Sequence, residues 1–226
     1  MGLFSQLFRR KPETSNGGKQ KVIQNGEWII HLNVVGEPTQ FYKKGKEWLD
    51  PSNTWTSPSG RFFLHSGIDG NADDCIALTT QTEGLKIKKM DEGIESAIVL
   101  DSGTAHVLTE DGNLYTINSE KSSQRHLCDD RPEAYLMTTD ICAVAYEGDT
   151  ENVVVKAVHF ETGKGWQRKL GYEWPDDGNN SDVSIVSDPT GIAITTPDGK
   201  MHHLSLEGQP IKSVSYTHLR AHETRH

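Results

Sequence analysis

From about Glu27 onward, short apolar or alternating runs are separated by polar turn residues. In AHVLTE (105–110), successive residues fall on opposite sides of an extended strand, so that Ala105, Val107 and Thr109 oppose the residues between them. Other runs, such as AIVL (97–100), are apolar on both sides, which is typical of strands packed between two layers. The pattern predicts an all-β domain built from many short strands.

The strand-like runs recur in triplets, which define four repeating units. At spacings of 36, 44 and 42 residues, the units begin at Arg61, Ala97, Ile141 and Val183. Asp-Gly dipeptides at 111–112 and 198–199 separate the second and third runs of two units, as expected for tight hairpins. A partial unit at 27–49 precedes the four. Periods of this length and order are typical of propeller blades.

The hairpins GTAHVLTEDGNLYTIN (103–118) and TGIAITTPDGKMHHLSL (190–206) resemble blades of seven- or eight-bladed β-propellers of the WD-repeat and quinoprotein-like type. The resemblance covers about residues 27–212, although no unit closes with Trp-Asp and none opens with Gly-His. It implies a partial β-propeller of about four to five antiparallel blades, truncated at its C-terminus. The tryptophans are interpreted as blade packing; they are Trp28, Trp48, Trp55, Trp166 and Trp174.

The C-terminal residues 214–226 are interpreted as a non-native tail. Read back into codons, VSYTHLRAHET (214–224) resembles translated DNA of a sequencing-library adapter. The tail ends in HExxH, a zinc-protease signature, but no helix can continue beyond His226 and no third ligand can follow it. We therefore expect no natural zinc site there. The chain divides into a leader and linker (1–21), a partial propeller (22–213) and the tail.

The chain carries 32 acidic and 23 basic side chains, a net charge of −9, and the excess acid lies in the predicted propeller. An acidic body repels nucleic-acid backbones, so we expect no nucleic-acid partner and a preference for basic ones. Cys75, Cys128 and Cys142 form no CxxC pair, which favours free thiols and a cytoplasmic location. No stretch approaches the roughly 18 apolar residues of a membrane span.

The N-terminal MGLFSQLFRRK has two interpretations. A short helix would place apolar side chains on one side, ahead of Arg9, Arg10 and Lys11, and could make weak contact with an anionic membrane surface. A frayed leader that touches nothing is favoured, because two turns of helix are marginal in water. Myristoylation is not expected, because Gln6 stands where Ser or Thr is required.

No GxSxG, P-loop or GxGxxG motif appears, and we assign no catalytic, cofactor-binding or metal-binding residue. Two acidic loops, Asp69–Asp74 and Asp176–Asp182, carry oxygen ligands of the kind that calcium prefers. The first lacks the Gly and Glu of an EF-hand loop, so solvated turns are the favoured interpretation. The histidines are scattered along the predicted strands and loops: His31, His65, His106, His126, His159, His202 and His203.

Two functions are compatible with the sequence. The favoured one is a non-enzymatic propeller, a scaffold or sensor that binds a protein or peptide partner on one ring face. The alternative is a propeller enzyme, a hydrolase or lyase whose carboxylates and histidines converge on the central channel, with or without a metal. Carboxylates and histidines around a central cavity would favour the enzyme, whereas a channel lined by small and apolar residues would favour the scaffold.

Overall fold

A computed structural model describes residues 21–25, 28–32, 38–43, 46–68, 74–80, 84–129, 131–148, 152–173 and 182–211. Residues 1–20 of the predicted leader and the whole C-terminal tail lie outside this part, so the predicted division of the chain stays a prediction. No helix in the described part is long and apolar enough to cross a membrane. The strands are β1 Lys21–Asn25, β2 Trp28–Leu32, β3 Pro38–Lys43, β4 Lys46–Thr56, β5 Phe62–Ile68, β6 Asp74–Thr80, β7 Gly84–Lys89, β8 Ile94–Val99, β9 Ala105–Thr109, β10 Asn113–Ile117, β11 Ser122–His126, β12 Ala134–Met137, β13 Ile141–Glu147, β14 Asn152–His159, β15 Gly165–Gly171, β16 Ser184–Asp188, β17 Gly191–Thr195 and β18 Met201–Leu204.

Each strand pairs antiparallel with its neighbours in sequence, so every sheet is a meander. Strands β1–β7 form a continuous seven-stranded sheet in which β4 is shared. The first part of β4, up to Leu49, pairs with β3, and the part from Asp50 pairs with β5. We therefore call the second part of β4 together with β5–β7 sheet 1. Sheet 2 is β8–β11, sheet 3 is β12–β15 and sheet 4 is β16–β18.

Three apolar cores lie between successive sheets. Leu64 and Val107 belong to the core between sheets 1 and 2, and Leu108 and Val144 to the core between sheets 2 and 3. Val155 and Ile194 belong to the core between sheets 3 and 4. Strand β9 shows how one strand serves two cores, because its residues are buried on both faces. This packing explains the runs that are apolar on both sides.

The first strands of the sheets lie together in the molecule. Strand β4 contacts β8, β8 contacts β12, and β12 contacts β16, so we call these four the inner strands. The fourth strands lie at the other edge, and the side chains of β11 are all exposed. An all-β chain of stacked antiparallel sheets with their first strands together is a partial β-propeller, as predicted from the sequence.

The strands of the predicted triplets are present, but the triplets do not all begin at the same strand of their sheets. The units that begin at Arg61 and Ile141 omit the inner strand of their sheets, β4 and β12. The unit that begins at Ala97 includes the inner strand β8 and omits the outer strand β11. The Asp-Gly turns form as expected, with φ of 71° at Gly112 and 75° at Gly199.

Candidate functional site

The turns of the sheets fall on two opposite ends of the molecule, because alternate connections of a meander lie at the same end. One end holds two kinds of connection: the turns from the second to the third strand of each sheet, and the loops that lead from one sheet to the next. We call this end the acidic face. Its described acidic residues are Asp74, Asp91, Glu92, Glu110, Asp111, Asp129, Glu133, Glu147, Glu173, Asp182 and Asp198, and its described bases are Lys89, Arg131 and Lys200.

The other end, the opposite face, is less acidic. Its described acids are Asp101, Glu120, Asp140, Glu161, Asp188 and Glu207, and its described bases are Arg61, Lys121 and Lys164. Several groups here hold neighbouring sheets together. Ser59 N donates to Asp101 Oδ1 over 2.9 Å, and Arg125 Nη1 donates to the Gly163 carbonyl over 2.8 Å. Part of this end therefore serves to join the sheets.

Some carboxylates of the acidic face hold its turns in place. Glu92 accepts from Thr109 Oγ1 over 2.6 Å and from Asn113 Nδ2 over 2.9 Å, which ties the loop before sheet 2 to the Asp-Gly turn. The Asn113 Oδ1 atom lies 3.1 Å from His126 Nδ1, and His126 Nε2 lies 2.8 Å from Asp129 Oδ1. Thr109 is fully buried at the base of this network. The network therefore links the loop before sheet 2, the Asp-Gly turn and the loop after β11.

Sheet 4 has a similar arrangement around Asp198. The carboxylate accepts from Thr196 Oγ1 over 2.7 Å and from Lys200 Nζ over 2.7 Å, and only 7% of its side chain is exposed. Burial by itself would raise the pKa of Asp198, but the hydrogen bonds from Lys200 and Thr196 and from the N–H groups of Lys200 and Glu173 hold that pKa well below its usual range. Asp198 is therefore ionised and committed to this turn.

Near the inner strands, an exposed aromatic ring lies close to acidic residues, because Tyr135 Oη donates to the Glu95 carbonyl over 3.5 Å and Glu133 stands two residues before Tyr135. Arg131 Nη2 donates to Glu95 Oε2 over 2.7 Å, and Tyr135 is 36% exposed. Glu133 accepts a hydrogen bond from the backbone N–H of Glu147 over 3.1 Å. Desolvation is the main cause that raises the pKa of Glu133; the hydrogen bond opposes it and the charge of Glu147 adds to it. Repulsion between these carboxylates would decrease if a cation approached.

The predicted calcium loops are only partly described. Asp74 is exposed at the start of β6 and Asp182 is exposed ahead of β16, whereas 69–73 and 176–181 lie outside the described residues. Within the described part, no group of three or more His, Cys, Asp and Glu residues could hold a metal ion. The three cysteines are buried thiols that form no disulfide within the described part: Cys75, Cys128 and Cys142.

The structure does not bring the described histidines together. His65 is buried in sheet 1 and His106 in sheet 2, where its ring stacks on Phe160 at 3.6 Å. His159 lies against the turn after β18, and His202 and His203 lie on β18 itself. Trp55 and Trp166 pack against apolar cores, as predicted, and Trp174 is outside the described residues.

The acidic face was not predicted from the sequence. Its signal is present in the chain, because the connections near 91, 110, 129, 147 and 173 carry two or more acidic residues each, whereas the connections between them carry one each. Only the correct assignment of strands to sheets shows that these connections lie at one end of the molecule. The triplets omitted a strand from each complete sheet, so alternate turns could not be assigned to faces.

The sequence matches no protein-family model and no curated protein. Among solved structures, Hsv2 of Kluyveromyces lactis is similar with a TM-score of 0.50 and 11% identity, over 84% of this chain and 58% of that one. Raptor of Chaetomium thermophilum has a TM-score of 0.47 and 11% identity, over 78% of this chain and 17% of that one. BamB of Moraxella catarrhalis has a TM-score of 0.42 and 17% identity, over 87% and 61%. The chain thus spans less than two thirds of each, and the likeness concerns the β-propeller fold alone.

Proposed function

We propose that this chain is a non-enzymatic β-propeller scaffold or sensor of the cytoplasm that binds a protein or peptide partner through its acidic face. The observation that carries the proposal is the concentration of carboxylates at one end of the stacked sheets, with few bases among them. Loops on a rigid scaffold are common binding surfaces, and a field of one sign steers partners of the other sign. The partner surface is therefore basic.

The inner strands also favour a scaffold over an enzyme. Of the inner strands, β8, β12 and β16 carry small, apolar and hydroxyl side chains, and their ionisable groups are Glu95, Tyr135 and Asp188. The second part of β4 adds one ionisable residue, Asp50. Glu95 pairs with Arg131, and Asp188 accepts from the backbone N–H of Thr190 over 2.9 Å. A hydrolase or lyase would need carboxylates and histidines that converge near the axis and are free to move protons.

The proposal is tested by neutralising charge on one face at a time. The double variant Asp91→Asn with Asp111→Asn removes exposed charges of the acidic face, and Asn still suits the tight turn at 111. Binding of a lysine-rich peptide, measured by interferometry at low salt, should weaken by roughly threefold to tenfold. The matched control, Glu120→Gln with Glu161→Gln, changes net charge equally on the opposite face and should leave binding unchanged. Equal weakening by both pairs would contradict the proposal.

A further inference from the structure

An open groove lies between the outer strands of sheets 2 and 3, beside the core that joins these two sheets. Exposed and covered positions alternate along β15, and the exposed ones are Gly165, Gln167, Lys169 and Gly171. Gly165 pairs with Val158, which belongs to the core between sheets 2 and 3, so this exposed side of β15 faces sheet 2. Across the groove, every residue of β11 is exposed as well. The two outer strands therefore leave the groove open to solvent.

The strands that border the groove carry basic side chains and no acidic ones. Strands β10, β11, β14 and β15 contain no Asp or Glu, although the whole chain has 32 acidic and 23 basic side chains. The cations on the groove side of these strands are Arg125, Lys156 and Lys169. In the part of the chain that the structure describes, none of the three belongs to a salt bridge. A cationic groove on an acidic molecule attracts anionic ligands.

Arg125 supplies the positive charge at one end of the groove. It pairs with Leu114, a residue of the core between sheets 2 and 3, so its side chain points towards sheet 3. Its Nη1 donates to the Gly163 carbonyl over 2.8 Å and lies 3.4 Å from the position that a Cβ would take on Gly165. A neutral carbonyl leaves the charge of the guanidinium uncompensated, and the other N–H groups are able to donate to a carboxylate.

Two ammonium groups supply the charge further along the groove. Lys169 and Tyr146 both pair with the same residue of β14, so they lie in one row across sheet 3. The Lys156 ammonium lies 5.6 Å from the centre of the Tyr146 ring, which brings it towards this row. Arg125 lies at the level of Gly165 on β15, four residues before Lys169. The two levels are therefore about 13 Å apart along the strand.

From this geometry we infer that the groove binds an acidic peptide segment in extended conformation, with carboxylates at positions i and i+4. Such side chains lie on the same side of an extended segment, about 13 Å apart. One carboxylate meets Arg125, the other meets Lys156 and Lys169, and the side chain at i+2 faces Gln167. The charged hydrogen bonds supply affinity, and their spacing supplies specificity. The site is independent of the partner proposed for the acidic face, because its ligand has the opposite charge.

The test uses the full chain and the probe acetyl-Glu-Thr-Ser-Thr-Glu-amide. The comparison peptide, acetyl-Glu-Thr-Ser-Glu-Thr-amide, has the same composition and charge, but its carboxylates lie on opposite sides of an extended segment. In amide NMR titrations at low salt, the probe should shift the signals of Ser123, Gln167 and Lys169. It should bind about threefold to tenfold more tightly than the comparison peptide.

Charge variants connect this preference to the groove. Lys169→Gln should weaken binding of the probe by about threefold, and Lys86→Gln, the same charge change on the outer strand of sheet 1, by less than about twofold. Lys156→Gln with Lys169→Glu should prefer acetyl-Glu-Thr-Ser-Thr-Lys-amide to the probe, whereas the unmodified chain should prefer the probe. A merely disturbed fold cannot produce this reversal.

Several results would overturn the inference. The two peptides of equal composition would bind equally, the signals that shift would lie away from the groove, or no peptide would bind. Tighter binding of a five-nucleotide DNA or of phosphatidylserine vesicles than of the probe would also overturn it, because the groove would then serve another class of ligand.

Discussion

Two buried histidines, His65 and His106, are expected to make the folded chain less stable in acid. His65 Nδ1 lies 2.9 Å from Thr54 Oγ1, and His106 Nδ1 lies 3.0 Å from Thr116 Oγ1. Burial lowers the pKa of His65 from 6.5 to about 3 and that of His106 from 6.5 to about 4. Both rings are neutral in the folded chain, and each takes up a proton more readily when the chain unfolds.

The sign of the pH dependence follows from these lowered values. Above pH 6.5 both states carry neutral rings, and below it the unfolded state binds protons that the fold excludes. Stability should therefore fall as the pH decreases from 6.5 towards 4, by up to about tenfold in the folding constant per pH unit for each ring. Urea unfolding of the chain and of His65→Gln with His106→Gln should show a flatter pH dependence in the variant. Parallel curves would count against this assignment.

Within one element, the turn between β18 and Pro210 depends on a glycine. Gly208 has φ of 77°, and an added Cβ would lie 2.5 Å from Trp166 Cδ2. Gly163, in the equivalent turn of sheet 3, has φ of 64° and nothing within 4 Å of an added Cβ. Gly163→Ala should cost about 1 kcal/mol through φ strain alone, and Gly208→Ala about 2–3 kcal/mol because the ring must also move. Equal changes in urea unfolding free energy would exclude the Trp166 clash.

At the same scale, the elements differ in how well the sequence predicts them. Strands such as β9 and β14 are buried and apolar, so their runs are evident, and the Asp-Gly turns mark the hairpins that join some of them. Strand β11 (SSQRH) is exposed along its length and has no apolar face. The second part of β4, from Asp50, is mostly polar and contains Pro51, and β12 has four residues. Such strands form because they pair with a neighbouring strand and not because they are buried, so a single sequence shows little sign of them.

At the scale of the whole molecule, the outer face of sheet 4 exposes large apolar side chains. Val186 is 52% exposed and Met201 60% exposed, whereas the corresponding faces of sheets 2 and 3 belong to apolar cores. We expect the chain to self-associate through this face, and light scattering should detect the resulting oligomers. Val186→Lys with Met201→Lys should reduce the association, and Val22→Lys, at an exposed site on β1, should not. A monodisperse monomer for the unmodified chain would contradict the expectation.

The meander order of the strands has a consequence for how the chain reaches its fold. Each sheet is complete once its own stretch of sequence has been made, and in the described part its main contacts are with the sheets before and after it. Contacts of this kind close short loops, so a nascent chain can fold one sheet at a time as it leaves the ribosome. Assembly and unravelling then proceed along a row of neighbours, and a lineage of such proteins can gain or lose a unit without rebuilding the others.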